Sequence, residues 1–162
     1  NAQHFQKVTE MITQAKAEGA NCLLDGFETS KGRTGYFVGP TLFDDVTPNM
    51  QLWRKEVFGP VLAITTFKDE DEAIRLANDT DYGLAGGVWT NDAAKGQRVA
   101  AAMNSGTVYI NHYRSVDPGS PIGGIKLSGY GRELGPDAIK GFLQTKSIWT
   151  GSGSVPDPFP AV

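Results

Sequence analysis

Cysteine is nearly absent from this sequence of 162 residues: Cys22 stands alone, so no disulfide framework can form within the chain. With two histidines beside it, the set is too small for a three- or four-ligand zinc site built from soft ligands, and no metal is expected. No apolar run approaches the roughly 20 residues that a membrane span requires. Asn1-Ala2-Gln3-His4 offers neither a basic region nor an apolar stretch, so a secretory signal is not expected. There is also no excess of positive charge. Fifteen Lys and Arg face eighteen Asp and Glu, giving a net charge of −3, and the cations are scattered among acids. Without a basic stripe to neutralise phosphates, a nucleic-acid partner is not expected. These absences point to a globular protein in the reducing cytoplasm.

What is present is an ordinary globular composition, 40% hydrophobic and 20% charged. Phe5, Val8, Met11, Ile12 and Ala15 recur at helical spacing, with Gly19 placed to end that helix. Residues 21–24 read as a short apolar strand and 26–35 as a surface loop. A strand within 36–46 is interrupted by Pro40, which implies an edge or a bend. Pro48 opens a helical turn towards Trp53, and 60–67 reads as a strand. Asp69 with Glu72 caps a helix through Asn78, and Asn91-Asp92 caps another that runs to about Met103. Strands are expected over 83–90, 107–111 and 145–150, with a short helix over 137–142. Alternation of strand and helix gives an α/β class with a largely parallel sheet and flanking helices. Residues 1–142 read as part of a catalytic domain, 143–150 as an added strand, and 151–162 as a mobile Gly/Ser/Pro tail. The missing initiator Met and the immediate helix pattern suggest a longer polypeptide.

Three stretches stand out. In Arg54-Lys55-Glu56-Val57-Phe58-Gly59-Pro60-Val61, the Glu56 carboxylate could accept hydrogen bonds from paired ribose hydroxyls, and Phe58 could pack on a flat ring. The plainer alternative is a solvated acid beside a core Phe at a helix-to-strand turn. The second, Leu76 to Thr90, reads as helix, turn and strand, in which Asn78 can end the helix and Gly83 can supply positive φ, and it is scaffold. The third runs from Gly106-Thr107-Val108-Tyr109-Ile110-Asn111 to Pro121-Ile122-Gly123-Gly124-Ile125-Lys126-Leu127-Ser128-Gly129-Tyr130-Gly131-Arg132-Glu133-Leu134-Gly135. Ordering so many glycines is entropically costly, which implies close approach of backbone to a ligand, another strand or a second subunit. Gly129, Gly131 and Gly135 are spaced G-x-G-x-x-x-G, one residue too long for a dinucleotide fingerprint.

Taken together, the E-x-F-G-P, A-N-x-x-x-Y-G-L and P-x-G-G-x-K-x-S-G-x-G-R-E-L-G blocks resemble the aldehyde dehydrogenase superfamily in order and spacing. The resemblance extends from the first helix to Lys146-Ser147-Ile148. It implies an enzyme that oxidises an aldehyde to a carboxylic acid with NAD or NADP. A Cys thiolate attacks the carbonyl, hydride passes to the nicotinamide, and a Glu activates the water that hydrolyses the thioester. It further implies that Glu56 binds the nicotinamide ribose, and that Phe58 packs near the nicotinamide. Asn111 would support the active-site wall, with Tyr113, Val116 and Ile122 lining the substrate tunnel. Many members carry Phe where Ile122 stands and an aromatic where Val116 stands. Glu133 would join a proton relay, Arg132 would tie the site to a subunit interface, and His112 would lie in the tunnel or the interface. The residues 143–150 would assemble a homodimer or homotetramer.

The family's nucleophile lies in a Gly-Gln-x-Cys setting and its base in Glu-Leu-Gly-Gly, and this chain contains neither. Cys22, in a short apolar run, reads as a small core residue. The segment alone is therefore expected to be inactive, and a non-catalytic α/β module for interaction or oligomerisation is the competing reading.

Overall fold

The computed structural model describes residues 1–151 and Gly153 of the chain. Helix α1 (Ala2–Ala17) is capped by the Asn1 side chain, which accepts from the backbone N–H of His4 at 2.9 Å. Its buried stripe, Val8, Ile12 and Ala15, follows the helical period and faces a three-stranded sheet. That sheet comprises β1 (Asn21–Leu24), β2 (Thr41–Asp44) and β3 (Val61–Ala63), in the order β1-β2-β3. β1 pairs with β2 antiparallel and β2 with β3 parallel. Thr41 and Phe43 alternate inward and are fully buried, as a half-covered strand requires. Pro40 directly precedes β2, which is the central strand, so the strand begins after the proline and is not interrupted by it, and the edge reading does not hold. α2 (Gln51–Arg54) completes this half, bringing Leu52 to the core that Val8, Ile12, Phe43, Val46 and Val57 share. Cys22 packs against the same cluster.

The second half is built from α3 (Glu70–Asn78), β4 (Tyr82–Gly83), β5 (Ala85–Val88), α4 (Ala93–Ala102), β6 (Thr107–Ile110) and β7 (Ile125–Lys126). Asp69 caps α3 by accepting from Glu72 N–H at 2.9 Å, and Asp92 caps α4 by accepting from Lys95 N–H at 3.0 Å, as their positions predict. β5, α4 and β6 form a parallel β-α-β unit, whereas β4 pairs antiparallel with β7. Asn78 joins the helix ends: its amide donates to Ala102 O at 2.8 Å and its oxygen accepts from Asn104 N–H at 2.6 Å. At the opposite end Arg98 forms a two-pronged pair with Glu70, at 3.1 and 3.0 Å.

The class is α/β, with two parallel and two antiparallel strand pairings spread over three short sheets. The expected strand over 83–90 is divided between β4 and β5, and Gly83 lies within β4 with no positive φ. The expected strand over 60–67 shrinks to β3. Pro136–Phe142 is a 3-10 helix. Residues 145–150, expected as a strand, have no regular structure here, and Ile148 and Trp149 are 81% and 92% exposed. The remainder of the expected tail, beyond Gly151 and Gly153, lies outside the described residues.

The apolar surface is distributed unevenly. The buried cluster belongs to the first half, while Leu62, Phe67, Leu84 and Trp89 are more than half exposed. Between β3 and the α3–α4 layer lies an open cavity of about 590 Å³ whose walls include Trp53, Ile64, Phe67, Ile74, Val88 and Trp89. Among the described residues, no helix is long and apolar enough to cross a membrane.

Candidate functional site

Residues 56–58 leave α2 on a path fixed at both ends. Upstream, the Arg54 guanidinium grips the Asp79 carboxylate with two bonds, at 2.7 and 3.0 Å, and donates from Nε to Pro48 O at 2.6 Å. This hydrogen bond to Arg54 is the chief reason that the Asp79 carboxyl titrates below its ordinary value, and partial desolvation opposes it. Trp53 donates its indole N–H to Asp79 O at 2.6 Å, so α2 is anchored to the end of α3. Downstream, Gly59 lies against Val8. A Cβ there would stand 2.7 Å from Val8 Cγ1, so only glycine lets the chain pass α1 at this distance. Between these anchors Val57 is buried, and the alternation leaves Glu56 and Phe58 facing outward.

Phe58 is 71% exposed at φ +55°, so within this chain it does not join the core. Left-handed backbone costs a bulky residue about 1–2 kcal/mol and persists only where its surroundings hold it. Here α1 holds it: His4 Nε2 lies 2.6 Å from Phe58 O, and Lys7 Nζ donates to Glu56 O at 3.1 Å. Lys7 Nζ also lies 5.6 Å from the Phe58 ring centroid, within cation–π range. Glu56 and Phe58 line one open cavity of about 320 Å³, together with Lys55, Gly59 and Val61. An outward carboxylate, an outward flat ring and an ammonium group form a donor and acceptor set suited to a ribose and its attached aromatic base. His4 and Lys7 were not legible as site residues. Their one available signal is position, since they flank Val8 on the core side of α1.

The second group of expected residues gathers elsewhere. Val116 and Ile122 line a cavity of about 250 Å³ with Tyr109, Val108 and Pro121. Tyr109, which sequence reasoning passed over, forms its aromatic wall and donates its hydroxyl to Ser115 O at 2.8 Å. Tyr113 is outside that cavity, 66% exposed, with its ring edge-on to Tyr109 at 6.5 Å. His112 bonds Ser115 Oγ and lies edge-on to the same Tyr109 ring at 6.2 Å. The Asn111 side chain turns back to Thr90, accepting from its N–H and donating to its C=O, both at 2.8 Å. Ile122 exchanges two backbone bonds of 2.8 Å with Glu133, whose side chain is exposed. Arg132 ties the glycine-rich loop together by donating to Gly124 O and Gly131 O, both at 2.8 Å.

The second and third sequence blocks dock on one another. Lys126 Nζ donates to Asn78 O at 3.1 Å and Thr80 O at 2.9 Å, and Gly83 N–H donates to Ser128 Oγ at 3.0 Å. Their close spacing explains the glycines. A Cβ on Gly106 would lie 1.7 Å from Gly123 O.

A profile described as "Aldehyde dehydrogenase family" matches residues 1–148. Over 144 residues the chain is 47% identical to the peroxisomal aminoaldehyde dehydrogenase 1 of Pisum sativum, covering 89% of this chain and 29% of that protein. It is also 47% identical to a betaine aldehyde dehydrogenase of Cereibacter sphaeroides over 155 residues, 96% of this chain and 32% of that one. The fold matches a Mycobacterium tuberculosis aldehyde dehydrogenase crystallised with NAD+, with a TM-score of 0.85 and 41% identity over 96% of this chain and 32% of that one. The chain thus spans about a third of the length of these relatives. With the profile covering all three sequence blocks and the fold reproduced, the chain belongs to the aldehyde dehydrogenase family.

Proposed function

We propose that this chain furnishes the nicotinamide-ribose platform and one wall of the aldehyde tunnel in an NAD(P)+-dependent aldehyde dehydrogenase that yields a carboxylic acid. The observation that carries this reading is the shared cavity of Glu56 and Phe58, both facing outward on a backbone held from α1. Glu56 would accept hydrogen bonds from the ribose hydroxyl pair, and Phe58 would orient the ring beyond it. When bound, NAD(P)+ supplies the hydride acceptor. The Cys nucleophile and the Glu base would come from the remaining two-thirds of the polypeptide, which would also cover the open apolar face around Trp89 and Phe67. Tyr109, Val116 and Ile122 would contact the aldehyde, with Asn111 and Tyr113 shaping the same wall and Glu133 placed beside it for proton transfer. Residues 143–150 would pair with a second subunit in a cytoplasmic homo-oligomer.

Glu56→Gln in the full-length polypeptide tests this. The exchange keeps size and removes charge on an exposed side chain, so the melting temperature should stay put. A charge-assisted contact contributes about 1.5–3 kcal/mol, so KM for the cofactor or the hydride step should worsen roughly ten- to a hundredfold. Unchanged kinetics with both NAD+ and NADP+ would refute the ribose-binding role.

A further inference from the structure

We propose that His112 is a positioning residue that sets the shape of the aldehyde cavity, acting through Ser115; this rests on the tunnel wall proposed above. Ser115 and Val116 line that cavity, and His112 does not. It stands behind them. Its Nε2 shares a hydrogen bond with Ser115 Oγ, which closes the turn formed by residues 112–115. A hydroxyl both donates and accepts, so this bond forms with either tautomer of the neutral ring. Tyr109 backs the ring, meeting it edge-on at 6.2 Å, and the Tyr109 hydroxyl donates to Ser115 O at 2.8 Å. Ser115 is thus gripped twice, by its side chain and by its carbonyl.

The turn needs holding. Arg114 lies at φ +58° with an exposed side chain, and left-handed backbone is unfavourable for a long side chain unless its surroundings fix it. Asn111 secures the start of the loop against Thr90, and Tyr109 secures the carbonyl of Ser115. Among the described residues only His112 bonds the Ser115 side chain, and with it the face that Ser115 turns to the cavity. Released from His112, Arg114 can relax towards ordinary negative φ, and the Ser115–Val116 wall loosens. A loose wall discriminates less by size, so bulky aldehydes gain on small ones. Glu56 and Phe58 line a different cavity, so cofactor binding is left as it was.

The test uses His112→Ala, His112→Gln and Ser115→Ala in the full-length polypeptide, and reads the ratio of kcat/KM for phenylacetaldehyde to that for propanal. Measured on one preparation, this ratio does not depend on how much of the enzyme is folded, so a merely structural role leaves it unmoved. The Gln amide ends where the imidazole Nε2 stood and can donate or accept there. Loss of one neutral hydrogen bond corresponds to about a two- to tenfold change. His112→Ala and Ser115→Ala should each raise the ratio by about that factor, and the double variant should add nothing. His112→Gln should keep the parent ratio, and KM for NAD+ should stay within twofold throughout. Val116→Trp, which fills the cavity, should lower the ratio. If Val116→Trp lowers it while His112→Ala leaves it at or below the parent value, the positioning role fails and the tunnel wall stands. Equal change by Ala and Gln, or a further change in the double variant, overturns action through the Ser115 bond. If Val116→Trp leaves the ratio unchanged, the cavity is not the aldehyde wall and this inference falls with it.

Discussion

Asn111 uses its side-chain amide as a spare peptide against Thr90, accepting from the N–H and donating to the C=O of that residue, both at 2.8 Å. The pair adds one rung beyond the β5–β6 ladder, and it does so from φ +52°, a conformation that Asn tolerates better than most residues. The loop carrying Tyr113 and Val116 begins at this rung, so its direction is set there. Asn111→Ala loses two exposed bonds and acquires strain, and should cost about 2 kcal/mol. Asn111→Gly loses the bonds but not the permissive backbone, and should cost about 1 kcal/mol. Urea unfolding of the two variants checks the order: if Gly is as destabilising as Ala, the backbone share of the argument is wrong.

Gly106→Ala should be far more damaging. The added Cβ would sit 1.7 Å from the Gly123 carbonyl, which belongs to backbone and has no flexible end to yield. Overpacking of this kind typically costs about 1–3 kcal/mol or more. Because β6 and the glycine-rich loop would be forced apart, loss of aldehyde turnover should accompany the fall in melting temperature. A Gly106→Ala variant with parent stability would show that the two segments do not approach this closely.

The contrast between these two positions shows what the sequence made legible. Capping and periodicity depend on near neighbours, so α1, α3 and α4 were readable, down to the caps at Asp69 and Asp92. Glu56 and Phe58 were singled out as a carboxylate and a ring ahead of Gly-Pro, with their roles implied by the family resemblance; that both face outward around a buried Val57 into a common cavity needed coordinates. His4 and Lys7 escaped notice because their partners lie far along the chain, as with the 54 residues separating His4 from Phe58, whereas Tyr109 meets near neighbours such as Ser115 that only the path of the loop brings to it. Strand assignments were weakest where pairing decides: 83–90 split because Gly83 pairs with Ile125 while Ala85 pairs with Thr107.

The Arg54–Asp79 pair makes a pH prediction. Arg54 holds the folded-state Asp79 carboxyl below its ordinary 3.8, so the pair's contribution is full above that value. It is lost as pH falls from near 4 through the depressed folded-state value. Both side chains are more than a third exposed, so the effect is modest and weakens with salt. Asp79→Asn should therefore lower the urea midpoint at pH 6, and the gap from the parent should narrow below pH 4. A gap independent of pH would assign the stabilisation to the neutral hydrogen bonds instead.

Cys22 packs against the first-half core, with its sulfur 3.6 Å from Leu24 O. Cys22→Ala in the full-length polypeptide should leave turnover nearly intact and cost less than about 1 kcal/mol, since a small half-buried side chain is shortened. A fall in kcat of roughly 10³-fold would instead mark Cys22 as the nucleophile. By the same reasoning the 162-residue chain alone should reduce no NAD(P)+ with any aldehyde.

The last prediction concerns residues 145–150, Thr-Lys-Ser-Ile-Trp-Thr. Their composition favours a strand, yet among the described residues they pair with nothing, and Ile148 and Trp149 are 81% and 92% exposed. Two large apolar side chains so exposed, on a backbone with unpaired hydrogen-bonding groups, are an aggregation hazard unless something covers them. A strand fails to form alone because its ladder bonds need a second edge, and the edge proposed here belongs to another subunit. Deleting the chain from Lys146 onward should then lower the oligomeric order of the full-length enzyme while leaving the core around Phe43 and Ile12, which lies in the other half, folded. Light scattering gives the answer directly. A truncated enzyme that keeps the parent's particle mass would show that these residues do not hold the subunits together, whereas smaller particles with parent-like far-UV circular dichroism would locate the interface in this segment.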